Sequence, residues 1–291
     1  MKKESLYKFV DSKNRILELY DRKLDELAIQ YESIYIDTAF GKTHVLKTGS
    51  PTLPPLILVH GANGCAPIAL DCYPNLSTKY QVFAIDVMAQ PNRSSETRLS
   101  MKDTSYGQWL NEVIRSLKLE NVVLAGFSFG GLIILKTLED SQENIKEVFI
   151  ASPAYVVNGN PLKALMKLFI PLKLYIKKQK LKHLKSITAE LFTNVDPFAL
   201  DFLSVVFPQF DQDFTPVPVI SSGAAQSIST PITVLGAGKD LIFPGKRMKK
   251  RATKIFPSLK QFVLLDNSKH VQDEKGNTLF ENLIVESTMV Q

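Results

Sequence analysis

The 291-residue sequence predicts an α/β fold: an eight-stranded, mostly parallel sheet flanked by helices, with a helical cap inserted late in the chain. Short apolar runs rich in β-branched residues alternate with segments of helical periodicity, the pattern of strands buried on both faces of a parallel sheet. One long helical stretch interrupts that alternation after the sixth run. With 45% apolar residues, a chain of this length can bury one large core.

The elements follow in order. Residues 1–30 form an N-terminal helix in which Ile16, Leu17, Tyr20, Leu24 and Leu27 share one face, expected to pack on the core. Strands are expected at 32–38 and 43–48, then in a parallel series at 55–60, 81–87, 121–126, 147–151, 231–236 and 261–266. The core thus comprises 31–156 and 217–291, and the cap 157–216. Its apolar residues, among them Leu165, Met166, Phe169, Phe198 and Phe202, are expected to pack the cap on the core, to close a pocket beneath it, or both. No internal repeat is visible.

The stretch "VVLAGFSFGGLIILK", 122–136, places Ser128 between a buried strand and a helix. Gly126 and Gly130, two residues to either side, remove β-carbons that would collide in a sharp reversal. Such a G-x-S-x-G turn projects the serine Oγ from the end of the sheet as a nucleophile. The same pattern also suits a glycine-rich turn whose serine only caps the helix.

A serine nucleophile needs a histidine base, an acid that orients the base, and N–H donors for the oxyanion. The chain has four histidines. His44 lies in an early alternating strand, His183 in a lysine-rich helical stretch, and His60 in the segment "PLILVHGANG". His270, in the loop after the last strand, is left as the base. The acid is Asp240, at the end of the strand in "PITVLGAGKDLIFP"; Asp266, only four residues before His270, is the weaker candidate. The oxyanion donors are the backbone N–H groups of Phe129 and of Ala62, the latter in a loop of small residues that lets a carbonyl approach. His60 shapes that loop and has no proton-transfer role.

Together "HGANG", "GFSFGG", "GAGKD" and a late histidine resemble the α/β-hydrolase superfamily, most similar to its cofactor-free carboxylesterase and C–C hydrolase branch. The resemblance covers about residues 30–291 and implies the α/β-hydrolase fold. It places a Ser128, Asp240, His270 triad and an oxyanion hole at Ala62 and Phe129. Two features depart from the pattern. Lys269 stands where many members have glycine before the histidine, and "DVMAQPNRSSE" keeps Asp86, Ser94 and Ser95 but lacks the usual glycines.

The implied activity is hydrolysis of a small, largely apolar carboxylic ester through an acyl-enzyme, with no cofactor and no metal. A C–C bond hydrolase and a non-catalytic small-ligand binder remain as alternatives. Dehalogenases and epoxide hydrolases of this fold attack with an aspartate, where this chain has Ser128.

Composition narrows the setting. Cys65 and Cys72 are expected as free thiols of a reducing compartment, and no pair has zinc spacing. The start lacks a continuous apolar h-region and no run reaches membrane-span length, so a cytoplasmic protein is expected. Between 161 and 190 stand eight lysines and one acid, Glu190. They are read as a solvated helix face, with Asp196, Asp201, Asp211 and Asp213 following soon after. Membrane contact is not expected, and nucleic-acid binding still less, since no aromatic and basic platform appears. Oligomeric state is left open.

Overall fold

A computed structural model describes residues 5–287, so the first and last four positions of the expected N-terminal helix and core lie outside the described residues. The eight strands form within two residues of the expected bounds: β1 Tyr31–Thr38, β2 Gly41–Thr48, β3 Pro55–Val59, β4 Gln81–Ile85, β5 Val122–Phe127, β6 Ile145–Ala151, β7 Ile232–Ala237 and β8 Leu259–Leu265. They build one sheet of order β1-β2-β4-β3-β5-β6-β7-β8. β2 runs antiparallel to β1 and β4, and every other pair is parallel.

The period-two geometry of the strands splits the core into two layers. Ile57, Val59, Val122 and Leu124 point to one face, where α3 (Ser105–Ser116), α4 (Phe129–Asp140) and α10 (Gly245–Ile255) bury Trp109, Leu132 and Met248. Leu56, Leu58, Val123 and Ala125 point to the other, where α1 (Ser12–Leu27), α2 (Ala66–Cys72) and α11 (Glu274–Glu286) bury Tyr20, Ala66 and Phe280. On α1 the buried apolar residues are Ile16, Tyr20 and Leu24, while Leu17 and Leu27 are half-buried at its margins.

Between β6 and β7 the chain forms α5 (Pro161–Ala164), a π turn over Leu165–Phe169, α6 (Ile170–Lys178), α7 (Leu181–Leu191), α8 (Pro197–Gln209) and α9 (Ser222–Gln226). This insertion has a small core of its own, with Leu168, Tyr175, Leu184, Ile187 and Phe207. α8 also sends Phe202 and Val206 into the main core beside α1, so the insertion and the sheet share packing. Strand order reverses after β3: the chain steps to β4 on one side, then to β5 on the other. In open α/β sheets the crevice at the carboxyl ends of strands flanking such a reversal is where ligands bind, and the ends of β3 and β5 carry the Ala62 loop and Ser128.

Candidate active site

Ser128 follows β5 directly and takes φ 54°, ψ −111°, a left-handed conformation an L-residue adopts only when its surroundings hold it there. Its N–H donates to Ala151 O at 2.9 Å, and its carbonyl accepts from Gly131 and Ala154, both at 3.0 Å. The reversal is as tight as the glycines require. A β-carbon at Gly126 would stand 3.0 Å from the Gly130 carbonyl carbon, and one at Gly130 would run into the Val59 carbonyl oxygen of β3.

The structure brings Ser128, His270 and Asp240 together from three separate strand ends. Ser128 Oγ lies 2.9 Å from His270 Nε2, and His270 Nδ1 lies 2.8 Å from Asp240 Oδ2. A carboxylate only accepts, so Nδ1 holds the imidazole proton and Nε2 is free to accept from the hydroxyl. Asp240 Oδ1 accepts the N–H groups of Ile242 at 2.7 Å and Phe243 at 2.9 Å, which orients the carboxylate and compensates its buried charge. Phe127 and Phe243 flank the imidazole, with ring centroids 5.1 and 5.5 Å away. All three polar residues are buried, Ser128 being 7% exposed. Asp266 is exposed and pairs instead with Lys246 at 3.8 Å.

The Ala62 loop lies against the serine turn, as Gly61 shows: a β-carbon there would stand 3.3 Å from Ser128 Cβ. The N–H groups of Ala62 and Phe129 have no hydrogen-bond partner among the described residues, and Phe129 opens α4, where N–H groups point away from the helix. His60 holds the loop. Its Nδ1 donates to Gly61 O at 2.7 Å and its Nε2 accepts the Val87 N–H at 3.0 Å. The Asn92 amide also contacts Nε2 at 3.2 Å, and burial lowers the His60 pKa against the opposing pull of Asp86 and the Gly61 carbonyl, which keeps it neutral in this seat.

Three positioning features were not legible in the sequence. His44, on β2, is buried with Nδ1 2.8 Å from Asp86 Oδ2 and Nε2 2.8 Å from Ser33 Oγ. Asp86 Oδ1 accepts the Ala66 N–H at 2.8 Å, so this pair ties the segment after the Ala62 loop to the sheet. Ser33 sits in a regular stretch of β1 opposite Leu46, without the strained turn of Ser128. Gln272 is buried beside His270 and donates to Ser152 Oγ at 2.7 Å and to His270 O at 3.2 Å. Thr193, from the insertion, accepts the Lys269 N–H at 2.9 Å and donates its hydroxyl to Val271 O at 2.9 Å.

The two departures from the sequence pattern find local solutions. Lys269 sends its Nζ to Ala189 O at the end of α7, a contact glycine could not make. In "DVMAQPNRSSE", Ala89 takes φ 54°, a conformation suited to glycine, and donates to Ser95 O at 3.0 Å. His183 lies on α7 among lysines. Cys65 and Cys72 are free; burial pushes the Cys65 thiol well up and the Cys72 thiol to about 12, with Asp86 and Asp71 respectively adding to the rise. No group of three or more His, Cys, Asp or Glu among the described residues converges on a metal position.

A family model described as alpha/beta hydrolase fold matches residues 54–210, which hold the Ala62 loop, the Ser128 turn and most of the insertion. The chain belongs to the α/β hydrolase fold family. Within that family it is 34% identical over 153 residues to an uncharacterized carboxylesterase, nap, of Bacillus subtilis strain 168, covering 52% of this chain and 50% of the relative. It is also 34% identical over 148 residues to carboxylesterase YbfK of the same strain, covering 50% and 49%. The chain thus spans about half the length of the curated relatives it matches. In structure it resembles the naproxen esterase (carboxylesterase NP) of Bacillus subtilis, with a TM-score of 0.83 and 23% identity over 97% of this chain and 99% of that one, a likeness of fold. No helix among the described residues is long and apolar enough to cross a membrane.

Proposed function

We propose that the protein is a serine hydrolase that cleaves carboxylic esters of small, largely apolar substrates through an acyl-enzyme. The observation that carries this reading is the continuous hydrogen-bond chain from Asp240 through His270 to a serine held at positive φ. The carboxylesterase relatives support it at the level of reaction class.

In this mechanism His270 Nε2 takes the Ser128 proton as Oγ attacks the ester carbonyl. Asp240 stabilises the imidazolium and keeps the ring in register, and it keeps its own charge throughout. The Phe129 and Ala62 N–H groups receive the oxyanion, the main electrostatic contribution to such a reaction. His270 then gives its proton to the leaving alcohol, and water attacks the acyl-enzyme by the reverse relay. This chemistry calls on no cofactor or metal. Residues 157–216 act as the cap over the core of 31–156 and 217–291, and their apolar side chains set the substrate preference. The two free thiols, Cys65 buried and Cys72 half-buried, fit a reducing, cytoplasmic setting.

Intact-mass analysis after incubation with a fluorophosphonate tests the reading. One adduct is expected on wild type and none on Ser128→Ala or His270→Ala, with ester turnover of Ser128→Ala lower by roughly 10⁴-fold or more. Absence of an adduct and of ester turnover on folded wild type would favour a ligand-binding role. Cleavage of vinylogous diketones without ester turnover would transfer the same triad to C–C bond hydrolysis.

A further inference from the structure

The insertion carries a surface that the other described residues leave uncovered, and we propose that it docks the protein onto an anionic lipid bilayer. In the segment α5, π turn and α6, Leu162, Leu165, Met166, Phe169 and Ile170 are exposed at 66, 45, 59, 40 and 39%. Their i, i+3, i+4, i+7, i+8 spacing gathers them on one side, while Leu168 and Tyr175 turn inward to the insertion's own core. The segment is therefore apolar on two sides, and only one of them is buried by protein. Phe214 extends the outer side, its ring centroid 6.1 Å from that of Phe169 and its own side chain 45% exposed. Contiguous exposed apolar surface of this kind marks an interaction site.

Charge selects the partner. All eight lysines between 161 and 190 are exposed, and among the described residues only Lys167 is in an ion pair, with Glu190 at 2.9 Å. The acids that follow in sequence are engaged elsewhere. Asp196 caps α8, Asp201 pairs with Arg22 of α1 at 3.1 Å, and Asp213 pairs with Arg98 at 3.8 Å. The lysines are solvent-exposed, as a solvated helix face requires, and they share their segment with large exposed apolar side chains. Large apolar side chains flanked by unneutralised lysines match the boundary between anionic headgroups and acyl chains.

The surface also stands where docking would matter. The Gly159 N–H, at the start of the insertion, donates to Ile242 O beside Asp240 at 2.6 Å. At its other side Thr193 N–H donates to Val271 O beside His270 at 2.9 Å. A bilayer held against the insertion would lie at the end of the sheet that carries Ser128. If Ser128 is the ester-cleaving nucleophile, membrane-dissolved esters are the substrate class this arrangement supplies, and that consequence rests on the reading above. The docking itself does not.

Sedimentation of the full chain with sucrose-loaded vesicles tests the docking. Wild type is expected to sediment with phosphatidylglycerol and phosphatidylcholine mixtures and to bind phosphatidylcholine alone at least roughly tenfold more weakly. Two triple variants, Leu162→Ser with Leu165→Ser and Met166→Ser, and Lys177→Glu with Lys178→Glu and Lys182→Glu, are each expected to lose roughly tenfold or more with unchanged circular dichroism. No sedimentation, equal binding to neutral vesicles, or an apolar variant that binds like wild type would overturn the proposal. So would a wild-type dimer that the apolar variant dissolves, since a second copy would then cover the face. Turnover of a water-soluble ester is measured in parallel: binding without turnover defeats only the functional reading, and turnover without binding defeats only the docking.

Discussion

The left-handed backbone at Ser128 costs roughly 1–2 kcal/mol, and the hydrogen bonds of its N–H and carbonyl to Ala151, Gly131 and Ala154 hold it there. The same economy of single residues governs His44. Its imidazole is a side-chain partner of Asp86 Oδ2, which also accepts the Arg93 N–H at 3.3 Å, and both His44 and Asp86 are buried. Replacing His44 by Ala leaves that carboxylate buried without it, and unfolding free energy is expected to fall by about 3–5 kcal/mol in urea titrations. His44→Ala with Asp86→Ala should recover part of the loss, and a single variant as stable as wild type would show that the pair holds nothing. This constellation could not be read from the chain, because 42 residues separate its members and only the pairing of β1, β2 and β4 turns them toward one another. Ser128, Asp240 and His270 were legible for the opposite reason: each stands just past a buried strand, and in a parallel sheet those strand ends share one edge.

At the scale of elements, the strands were legible because burial on both faces demands continuous apolar, β-branched runs. The insertion was less so. Helical periodicity marks apolar residues without saying which side of a helix the tertiary structure covers, and here α5 to α6 carries such residues on both sides. The π turn over Leu165–Phe169 left no sign in composition either. The loop after β4 offers a direct check on backbone strain. Ala89 occupies φ 54° where glycine would be unstrained, so Ala89→Gly trades relief of that strain against a more flexible unfolded chain. The expected result is a melting free energy equal to wild type or higher by up to about 1 kcal/mol, whereas a loss of more than that would mean the Ala89 methyl packs productively.

For the whole molecule, His60 couples stability to pH. Burial lowers its folded-state pKa below the ordinary 6.5, so between those two values the unfolded chain binds more protons than the folded one. Its contribution is present above pH 6.5 and is lost as pH falls through the lowered folded value. Unfolding free energy measured across this window is expected to decline toward acid, and the slope should flatten in His60→Asn. An unchanged slope would place the acid sensitivity in other groups.

The fastening of the insertion on the Asp240 and His270 loops limits how such a protein can diversify. Residues Gly159 and Thr193 clasp the segments that carry Asp240 and His270, so the insertion also braces the hydrogen-bond chain that links them to Ser128. A cap exchanged for that of another family member would need to bring its own clasps to Ile242 and Val271. Without them, a graft that changes the insertion would also loosen the arrangement of Asp240, His270 and Ser128.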